Sequence, residues 1–319
     1  MNKTTLSTQP YKGTSDTYPK DMLVRNYVFE TWSRVAKLFG YEEYDTPMLE
    51  DANIYRVKSG DEIANTQLYN FIDNGGREVA LRPEMTPSLA RMIAAKRNEL
   101  VTPIRWFNIS KYYRYEKPQR GRSREFFQLN IDIFGVEEIT ADIEILQYTI
   151  AVMREFGVPK DKFELRISNR YLLDYVLDNL LGLGEEEKGI VAKAIDNYLK
   201  VCKDDFPNYL KDLGLEDGQI DTIIDYLNWD IEKLRSLSLE SKGAKQLVEI
   251  FDSLDEDDKE NIKFCPYIVR GFLYYTGIVF EMYDIGSKEN PRAILGGGRY
   301  DSLLEIFGKE PISGVGLGW

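Results

Sequence analysis

The sequence of 319 residues contains no histidine, and this absence excludes several classes of enzyme. Ser-His-Asp and Cys-His hydrolases, HExxH metalloproteases, proteins that bind zinc through histidine, and histidine phosphocarriers all depend on imidazole. Any proton transfer must therefore use a carboxylate, a lysine, a tyrosine or the substrate itself.

Cysteines and long apolar runs are also scarce. The two cysteines, Cys202 and Cys265, lie far apart and form no CxxC pair, so neither a thiolate zinc site nor a disulfide framework is supported. No window approaches about 18 uninterrupted apolar residues, and the first residues have no apolar core of signal-peptide length. These features predict a cytoplasmic protein in a reducing compartment.

Basic residues are fewer than acidic ones, 41 against 53, which gives a net charge of −12. Bulk charge will not attract a polyanion, so any contact with nucleic acid needs a local basic patch. Hydrophobic residues make up 43% and charged residues 29%, which is typical of a globular protein. The length of 319 residues predicts about two domains.

Hydrophobic periodicity predicts an α+β fold that a helical segment interrupts. We predict a long helix over residues 21–39, a short strand over 42–46, a hairpin turn followed by a helix over 87–97, and two antiparallel strands within 104–135. A helix over 142–156 and a strand over 162–168 follow. The expected domains are residues 1–170, an all-helical insertion over 171–261, and residues 262–319, where strand patterns return and the GGGRYD segment turns into a helix.

The segment YRYEKPQRGRSREFFQ places arginines around a basic loop. Arg114 and Glu116 are predicted on one face of a strand, because side chains alternate with a period of two. The planar fork of arginine suits a phosphate or carboxylate. An equally acceptable interpretation is a solvated ladder of ion pairs between arginine and Glu116 or Glu125.

Three further segments carry candidate residues, and each has a structural alternative. VRGFLYYTGIVFE contains Arg270, Tyr274 and Tyr275, although the tyrosines could be core aromatics. The three glycines of LGGGRYD allow a close approach to the backbone, but they are a weak nucleotide signal. In LRPEMTPS, Glu84 and Thr86 lie at a strand-to-helix turn, where Thr86 could simply cap the helix.

Together and in this order, these segments resemble the catalytic domain of the class II aminoacyl-tRNA synthetases, specifically the histidyl-tRNA synthetase family. The resemblance implies an antiparallel sheet flanked by helices. It implies that the long helix and GYEEYDTPMLE, with Pro47, form motif 1 and much of a dimer interface. YYRYEKPQRGRSREFFQLNIDIFG resembles motif 2, and the VRGFLYYTGIVFE and GGGRYD segments resemble the two histidine-specific signatures.

The activity that the resemblance implies is formation of histidyl-adenylate from L-histidine and ATP, followed by transfer of histidine to the 3′ end of tRNA. The cofactors would be ATP and Mg²⁺, and no side chain is assigned as a metal ligand. Arg114 and Arg270 would be catalytic, at the α-phosphate, while Asp132 and Tyr275 would read the imidazole. The implied histidine-binding residues are Glu84, Met85, Thr86, Arg114, Gln128, Asp132, Arg270, Tyr274 and Tyr275; those for ATP are Arg114, Glu116, Arg122, Gly297 and Gly298; those for the tRNA acceptor end are Lys117, Gln119 and Arg120.

The sequence departs from the family pattern in three places. Leu273 stands where Asp is usual, and Phe127 stands where EFHQ is common. The chain stops at GVGLGW, in the segment that resembles motif 3, so we expect the rest of that motif and a C-terminal anticodon-binding domain to be missing.

Two alternatives remain open from the sequence. The family has a non-catalytic relative, the regulatory subunit of ATP phosphoribosyltransferase, which keeps the fold and lacks the anticodon domain. Against it stand the motif 2 loop, Arg270 and the YYTG segment. An unrelated α+β module that binds RNA would retain tRNA but would not exchange pyrophosphate with ATP.

Overall fold

The computed structural model describes residues 6–56, 66–119, 121–269, 274–287 and 292–319. Among the residues singled out from the sequence, Arg120, Arg270 and Leu273 lie outside these ranges.

Helices and strands alternate up to residue 169, helices follow up to residue 259, and strands return after it, as the sequence predicted. The helices are α1 (Pro19–Leu38), α2 (Asn53–Arg56), α3 (Thr86–Ala95), α4 (Thr140–Glu155), α5 (Arg170–Tyr175), α6 (Glu185–Asp196), α7 (Phe206–Asp212), α8 (Asp217–Leu227), α9 (Ile231–Leu237), α10 (Lys242–Ser253) and α11 (Glu256–Lys259). The strands are β1 (Glu42–Glu43), β2 (Leu49–Asp51), β3 (Tyr69–Ile72), β4 (Glu78–Leu81), β5 (Ile104–Tyr113), β6 (Glu125–Phe134), β7 (Phe163–Asn169), β8 (Ile262–Phe264), β9 (Ile278–Asp284), β10 (Ala293–Arg299) and β11 (Gly314–Gly318).

The first compact unit comprises Met1–Val101, Arg105–Ile131 and Leu303–Glu310. Its strands β1, β5 and β6 are neighbours in that order, and β1 runs parallel to β5. A second, antiparallel sheet has the order β2-β4-β3.

Helix α1 begins at a proline and is followed by a glycine, two residues that commonly mark the start and the end of a helix. Pro19 lies in its first turn, where a missing N–H costs nothing, and Gly40 follows its end with a φ of 81°. Trp32, Val35 and Ala36 are buried on one face. The predicted strand over 42–46 is shorter than expected and ends at Glu43.

The second compact unit comprises Thr102–Ile104, Asp132–Ser302 and Pro311–Trp319. From β11 its strand order is β11-β10-β9-β7-β8. The pairs β11–β10, β10–β9 and β9–β7 are antiparallel, whereas β7 and β8 are parallel. The α+β class is confirmed, with parallel pairs as a detail that the sequence did not predict. A parallel pair needs a long crossover, and α5 to α11 supply it here.

The crossover helices pack closely onto one another and onto β7. A side chain at Gly243 of α10 would collide with the backbone of Leu172 in α5, so glycine permits this crossing. Arg154 of α4 forms an ion pair of 2.9 Å with Asp258 of α11. The predicted helix after GGGRYD is only a short 3-10 turn, Leu303–Phe307. In the described part of the chain, no helix is long and apolar enough to cross a membrane.

Candidate active site

The turn between β4 and α3 carries three predicted site residues and is held in place by Arg82. The guanidinium of Arg82 is buried and donates to the Thr46 carbonyl at 2.8 Å and to the Lys111 carbonyl at 3.1 Å. Glu84 and Met85 are buried in this turn. Arg82 therefore fixes the turn to β5, and its hydrogen bonds do not use the side chains of Glu84, Met85 or Thr86, which are predicted to bind histidine.

Thr86 is the first residue of α3, and its side chain does not cap the helix. The capping alternative for Thr86 is therefore wrong, because the position before the helix belongs to Met85. Thr86 is half-buried at the start of the helix, beside the buried Glu84.

Arg114 joins this turn to the β5–β6 hairpin. Its Nε donates to the Pro83 carbonyl at 3.0 Å, and its guanidinium lies 5.2 Å from the centre of the Phe126 ring. Gln128 is half-buried two residues after Phe126 and so shares a face of β6 with it. The first unit thus brings together Arg114, the Glu84 turn and the face of β6 that carries Gln128.

Both Arg114 and Glu116 lie beyond the end of β5, so the prediction that they share a strand face is wrong. The backbone bends after Tyr113, and the Glu116 amide donates to the Arg114 carbonyl at 2.8 Å. The alternative interpretation, a ladder of ion pairs between arginine and Glu116 or Glu125, is correct for one of the two carboxylates, because Arg122 pairs with Glu116 at 3.2 Å. Glu125, however, pairs with Lys111 at 2.9 Å.

The loop between β5 and β6 presents the predicted tRNA contacts. Lys117, Gln119 and Arg122 are exposed, while Arg120 lies outside the described residues. Phe127, the departure from the family pattern, packs edge-on against Phe29 of α1 with ring centres 5.0 Å apart. Its ring thus contributes to the packing of α1.

In the second unit, the buried Asp132 contacts a cluster of aromatic rings through Tyr300. The Tyr300 hydroxyl donates to its Oδ1. The rings of Tyr274 and Tyr275 lie 5.8 and 6.4 Å from the Tyr300 ring. Asp132, Tyr274 and Tyr275 therefore all lie next to Tyr300, and both tyrosines are buried, as the core alternative required. Their role at the imidazole stays a prediction.

Tyr300 was missed as a site residue, although GGGRYD was recognised as a signature. Its position just after three glycines is the signal that could have found it. These glycines lie close to the predicted site, since a side chain on Gly298 would come within 2.7 Å of the Tyr275 ring. Gly297 is required by packing, since a side chain there would meet Phe280 at 2.5 Å. An ATP contact at either glycine stays a prediction.

Burial raises the pKa of Asp132 from 3.8 to about 7, although the hydrogen bond from Tyr300 opposes the rise. The same burial, together with Asp132, raises the pKa of Tyr300 well above 10.0. Tyr300 is therefore the proton donor in this pair across the neutral range, and Asp132 is the group that titrates.

The raised pKa of Asp132 predicts a pH-dependent stability. Between pH of about 4 and 7 the folded chain binds more protons than the unfolded chain, so the free energy of unfolding falls as pH rises. The full change is on the order of 4 kcal/mol, from a pKa of about 7 against 3.8. Urea unfolding across this range should show a flatter profile for Asp132→Asn, and parallel profiles would contradict the assignment.

The position of Tyr300 depends on its neighbour Arg299, which is buried in a polar network. The Nε of Arg299 lies 3.0 Å from both carboxylate oxygens of Asp142, and its Nη1 donates to the Val136 carbonyl at 3.1 Å. Burial would lower the pKa of Arg299, but Asp142 more than offsets this and raises it. Burial raises the pKa of Asp142 as well, although the hydrogen bonds and charge of Arg299 oppose this rise. The contact between the two side chains fixes the end of β10.

The chain is similar in sequence and in fold to proteins of one kind. A family profile described as "Histidyl-tRNA synthetase" matches residues 13–318. A protein of Leptospira biflexa named "Histidine--tRNA ligase" is 43% identical over 325 residues, which cover 100% of this chain and 73% of the relative. A protein of Haloarcula marismortui with the same name is 40% identical and covers 96% of this chain and 71% of the relative.

Solved structures show the same fold at lower identity. A histidyl-tRNA synthetase from Nostoc has a TM-score of 0.85 at 24% identity and covers 98% of this chain and 73% of that one. A structure from Bacillus halodurans described as an "ATP phosphoribosyltransferase regulatory subunit/histidyl-tRNA synthetase" has a TM-score of 0.83 at 23% identity, covering 99% and 82%. At such identities, the likeness concerns the fold alone.

Proposed function

Because the chain belongs to the histidyl-tRNA synthetase family, we infer that it is a histidine–tRNA ligase, an enzyme that attaches histidine to tRNA. The observation that carries this inference is the 43% identity to a histidine–tRNA ligase over the whole chain. The regulatory-subunit alternative has less support, since that description occurs in a structure that is only 23% identical.

The proposed first step needs no protein base. The carboxylate oxygen of histidine attacks the α-phosphorus of ATP, the bond to the bridging oxygen breaks, and pyrophosphate leaves with the bonding electrons. Charge accumulates on the phosphoryl oxygens, and fixed cationic donors stabilise it. Arg114 supports this role because its guanidinium is held between the Pro83 carbonyl and the Phe126 ring. Arg270 is proposed for the same role from the resemblance.

The finer assignments follow the same proposal. Glu84, Met85, Thr86 and Gln128 would hold the histidine backbone, and Glu116, Arg122, Gly297 and Gly298 would contact ATP. Among the described residues no group of three or more acidic or thiol side chains is placed to bind a metal ion. We propose that Mg²⁺ arrives on ATP and keeps phosphate and water ligands, which is how Mg²⁺ commonly binds.

The proposed tRNA contact is the loop that carries Lys117, Gln119 and Arg120. Residues 171–261 contain 10 basic and 23 acidic residues, a net charge of −13, and the other residues contain 31 and 30. The negative charge of the chain therefore resides in the helical segment. Phosphate groups are attracted to clustered lysine and arginine, so the acceptor end is expected at the loop and away from the acidic helices.

Histidine-dependent exchange of pyrophosphate into ATP tests the proposed function. The purified chain should exchange with histidine and show only background with each of the other amino acids. Histidine binding without exchange would favour the regulatory alternative. Retention of tRNA without exchange would favour an RNA-binding module.

Replacement of Asp132 by asparagine should weaken histidine binding by about tenfold or more, because a charge-assisted bond to the imidazole is lost. The dissociation constant for ATP should change much less. Calorimetric titration of each ligand measures both quantities. Equal losses for both ligands would remove Asp132 from imidazole recognition.

We also propose a homodimer through α1 and a cytoplasmic location. Leu23, Val24 and Tyr27 are exposed on the outer part of α1. A neighbouring groove of about 670 Å³ is lined by Phe29, Glu30, Ser33, Arg34, Lys37, Leu38, Glu43 and Ile109. A groove with apolar residues and both signs of charge suits a self-complementary interface. The cytoplasm is consistent with the two free cysteines.

Asp substitutions at Leu23 and Tyr27 together should convert the dimer into a monomer, because two desolvated carboxylates would have to enter the interface. Sedimentation velocity should then give half the mass of the dimer that the unaltered protein forms. Leu239→Asp is the matched control, since Leu239 is a fully exposed leucine of the helical segment. An unchanged dimer in the double variant would place the interface elsewhere.

A further inference from the structure

The N-terminal segment forms a tight turn at the base of the loop between β5 and β6. In this N-terminal turn, residues 11–14, the amide and the hydroxyl of Thr14 donate to the Tyr11 carbonyl at 2.9 and 2.7 Å. Gly13 has a φ of 86°, a conformation that side chains other than glycine rarely adopt. The turn has a defined geometry although its residues are largely exposed.

Arg124, the residue before β6, connects this turn to the loop. Its amide donates to the Gly13 carbonyl at 2.7 Å, and its Nη1 donates to the Tyr11 hydroxyl at 3.1 Å. On the other side, its Nε donates to the Glu116 carbonyl at 3.0 Å. The side chain of Arg124 is buried, whereas that of Tyr11 is largely exposed.

Aromatic rings enclose the same guanidinium. Its central carbon lies 4.1 Å from the centre of the Tyr115 ring and 5.7 Å from that of Tyr11. The Tyr115 ring packs edge-on against Tyr69 at 5.4 Å, and the Tyr115 amide donates to the Gln67 carbonyl at 2.7 Å. Arg124 therefore joins the N-terminal turn to a loop stem that β3 and its preceding residues also hold.

The space around Gly13 shows how closely the turn touches the loop. A side-chain carbon at Gly13 would lie 2.7 Å from Cγ of Arg124 and 2.9 Å from Cγ of Pro118. Pro118 belongs to the loop itself. Any larger residue at position 13 would thus displace both the arginine and the loop.

We propose that the N-terminal turn is a positioning element for tRNA transfer: through Arg124, Tyr11 and Gly13 fix the loop that presents Lys117 and Gln119 to the acceptor end. This inference rests on the proposed function, and it gives a role to residues for which the family resemblance named none. The side chain of Arg114 is held separately, by Pro83 and Phe126. Within the described ranges, Arg124 is bonded to the Arg114 amide and to the Glu116 carbonyl, at 3.0 Å each, and to no side chain proposed for ATP. The turn therefore acts on transfer more than on adenylate formation.

Two variants separate these steps. Tyr11→Phe keeps the ring and removes the hydroxyl that accepts from Arg124, while Gly13→Ala adds the colliding carbon. Both should lower kcat/KM for tRNA in single-turnover transfer by about tenfold, the effect of losing a hydrogen bond to a charged group. Histidine-dependent pyrophosphate exchange should change by less than about threefold. Tyr18→Phe, at an exposed tyrosine of the same segment, should alter neither rate.

Equal losses in exchange and transfer, or no loss in transfer, would overturn the proposal. Circular dichroism identifies misfolding of Gly13→Ala, and Tyr11→Phe then decides the question. Absence of exchange in the unaltered chain would refute the proposed function instead. In that case, hydrogen exchange decides the anchoring: the amides of Tyr115, Glu116 and Arg124 should exchange faster in Tyr11→Phe, and unchanged rates would overturn it.

Discussion

Replacement of Arg114 by alanine is expected to lower histidine-dependent pyrophosphate exchange by about two to three orders of magnitude, the usual cost of removing one preorganised donor to a developing charge. Arg114 lies just beyond β5, with Nε bound to the Pro83 carbonyl at 3.0 Å and the guanidinium over the Phe126 ring. Because the side chain is already oriented, no reorganisation is needed when the phosphorane-like transition state forms. The loss should therefore appear in kcat as well as in the KM for ATP.

Arg114→Lys and Arg91→Ala are informative controls for this prediction. Lysine retains the charge but not the planar fork, so it should restore only part of the rate. Arg91, on α3 of the same unit, pairs with Glu50 of β2, and its removal should leave exchange unchanged. Normal exchange in Arg114→Ala would place the α-phosphate contact at another residue.

The sequence predicted helices and strands that can be recognised from the pattern of neighbouring residues. The periodicity of α1 and the alternation in β5, β6 and β7 depend on neighbouring residues, and these elements appear within a few positions of their predicted bounds. The errors are at the ends of elements. Arg114 was placed on a strand because alternation continues past Tyr113, whereas the Tyr115 amide bonds to Gln67 and turns the chain away.

The contacts that the sequence did not predict join residues far apart in the chain. Tyr300 donates to Asp132 across 168 positions, and Arg299 reaches Asp142 across 157. Neither pair has a spacing that periodicity could detect, because each depends on the order of strands in the sheet. The Asp132 group was found only through the family resemblance, which named Asp132 and Tyr275 without their supporting residues.

Replacement of Asp142 by asparagine is expected to reduce the free energy of unfolding by about 3–5 kcal/mol, because the charge of Arg299 would be left buried without its counterion. The side chains are 4% and 0% exposed, so water cannot replace the lost carboxylate. Urea unfolding at pH 7 measures the change, and the loss should persist at high salt because buried charges are poorly screened.

The pair between Arg235 and Asp252 provides the matched control, since it has similar geometry, with nitrogen–oxygen distances of 3.0 and 2.6 Å, but lies on the surface. Asp252→Asn should alter stability far less, and salt should weaken what effect it has. Asp142→Asn should also weaken histidine binding, because Arg299 and Tyr300 are consecutive and Tyr300 bonds to Asp132. An effect on stability without any effect on histidine binding would show that the Tyr300 hydroxyl keeps its position without the buried ion pair. The proposed recognition of the imidazole would then rest on Asp132 and Tyr275 alone.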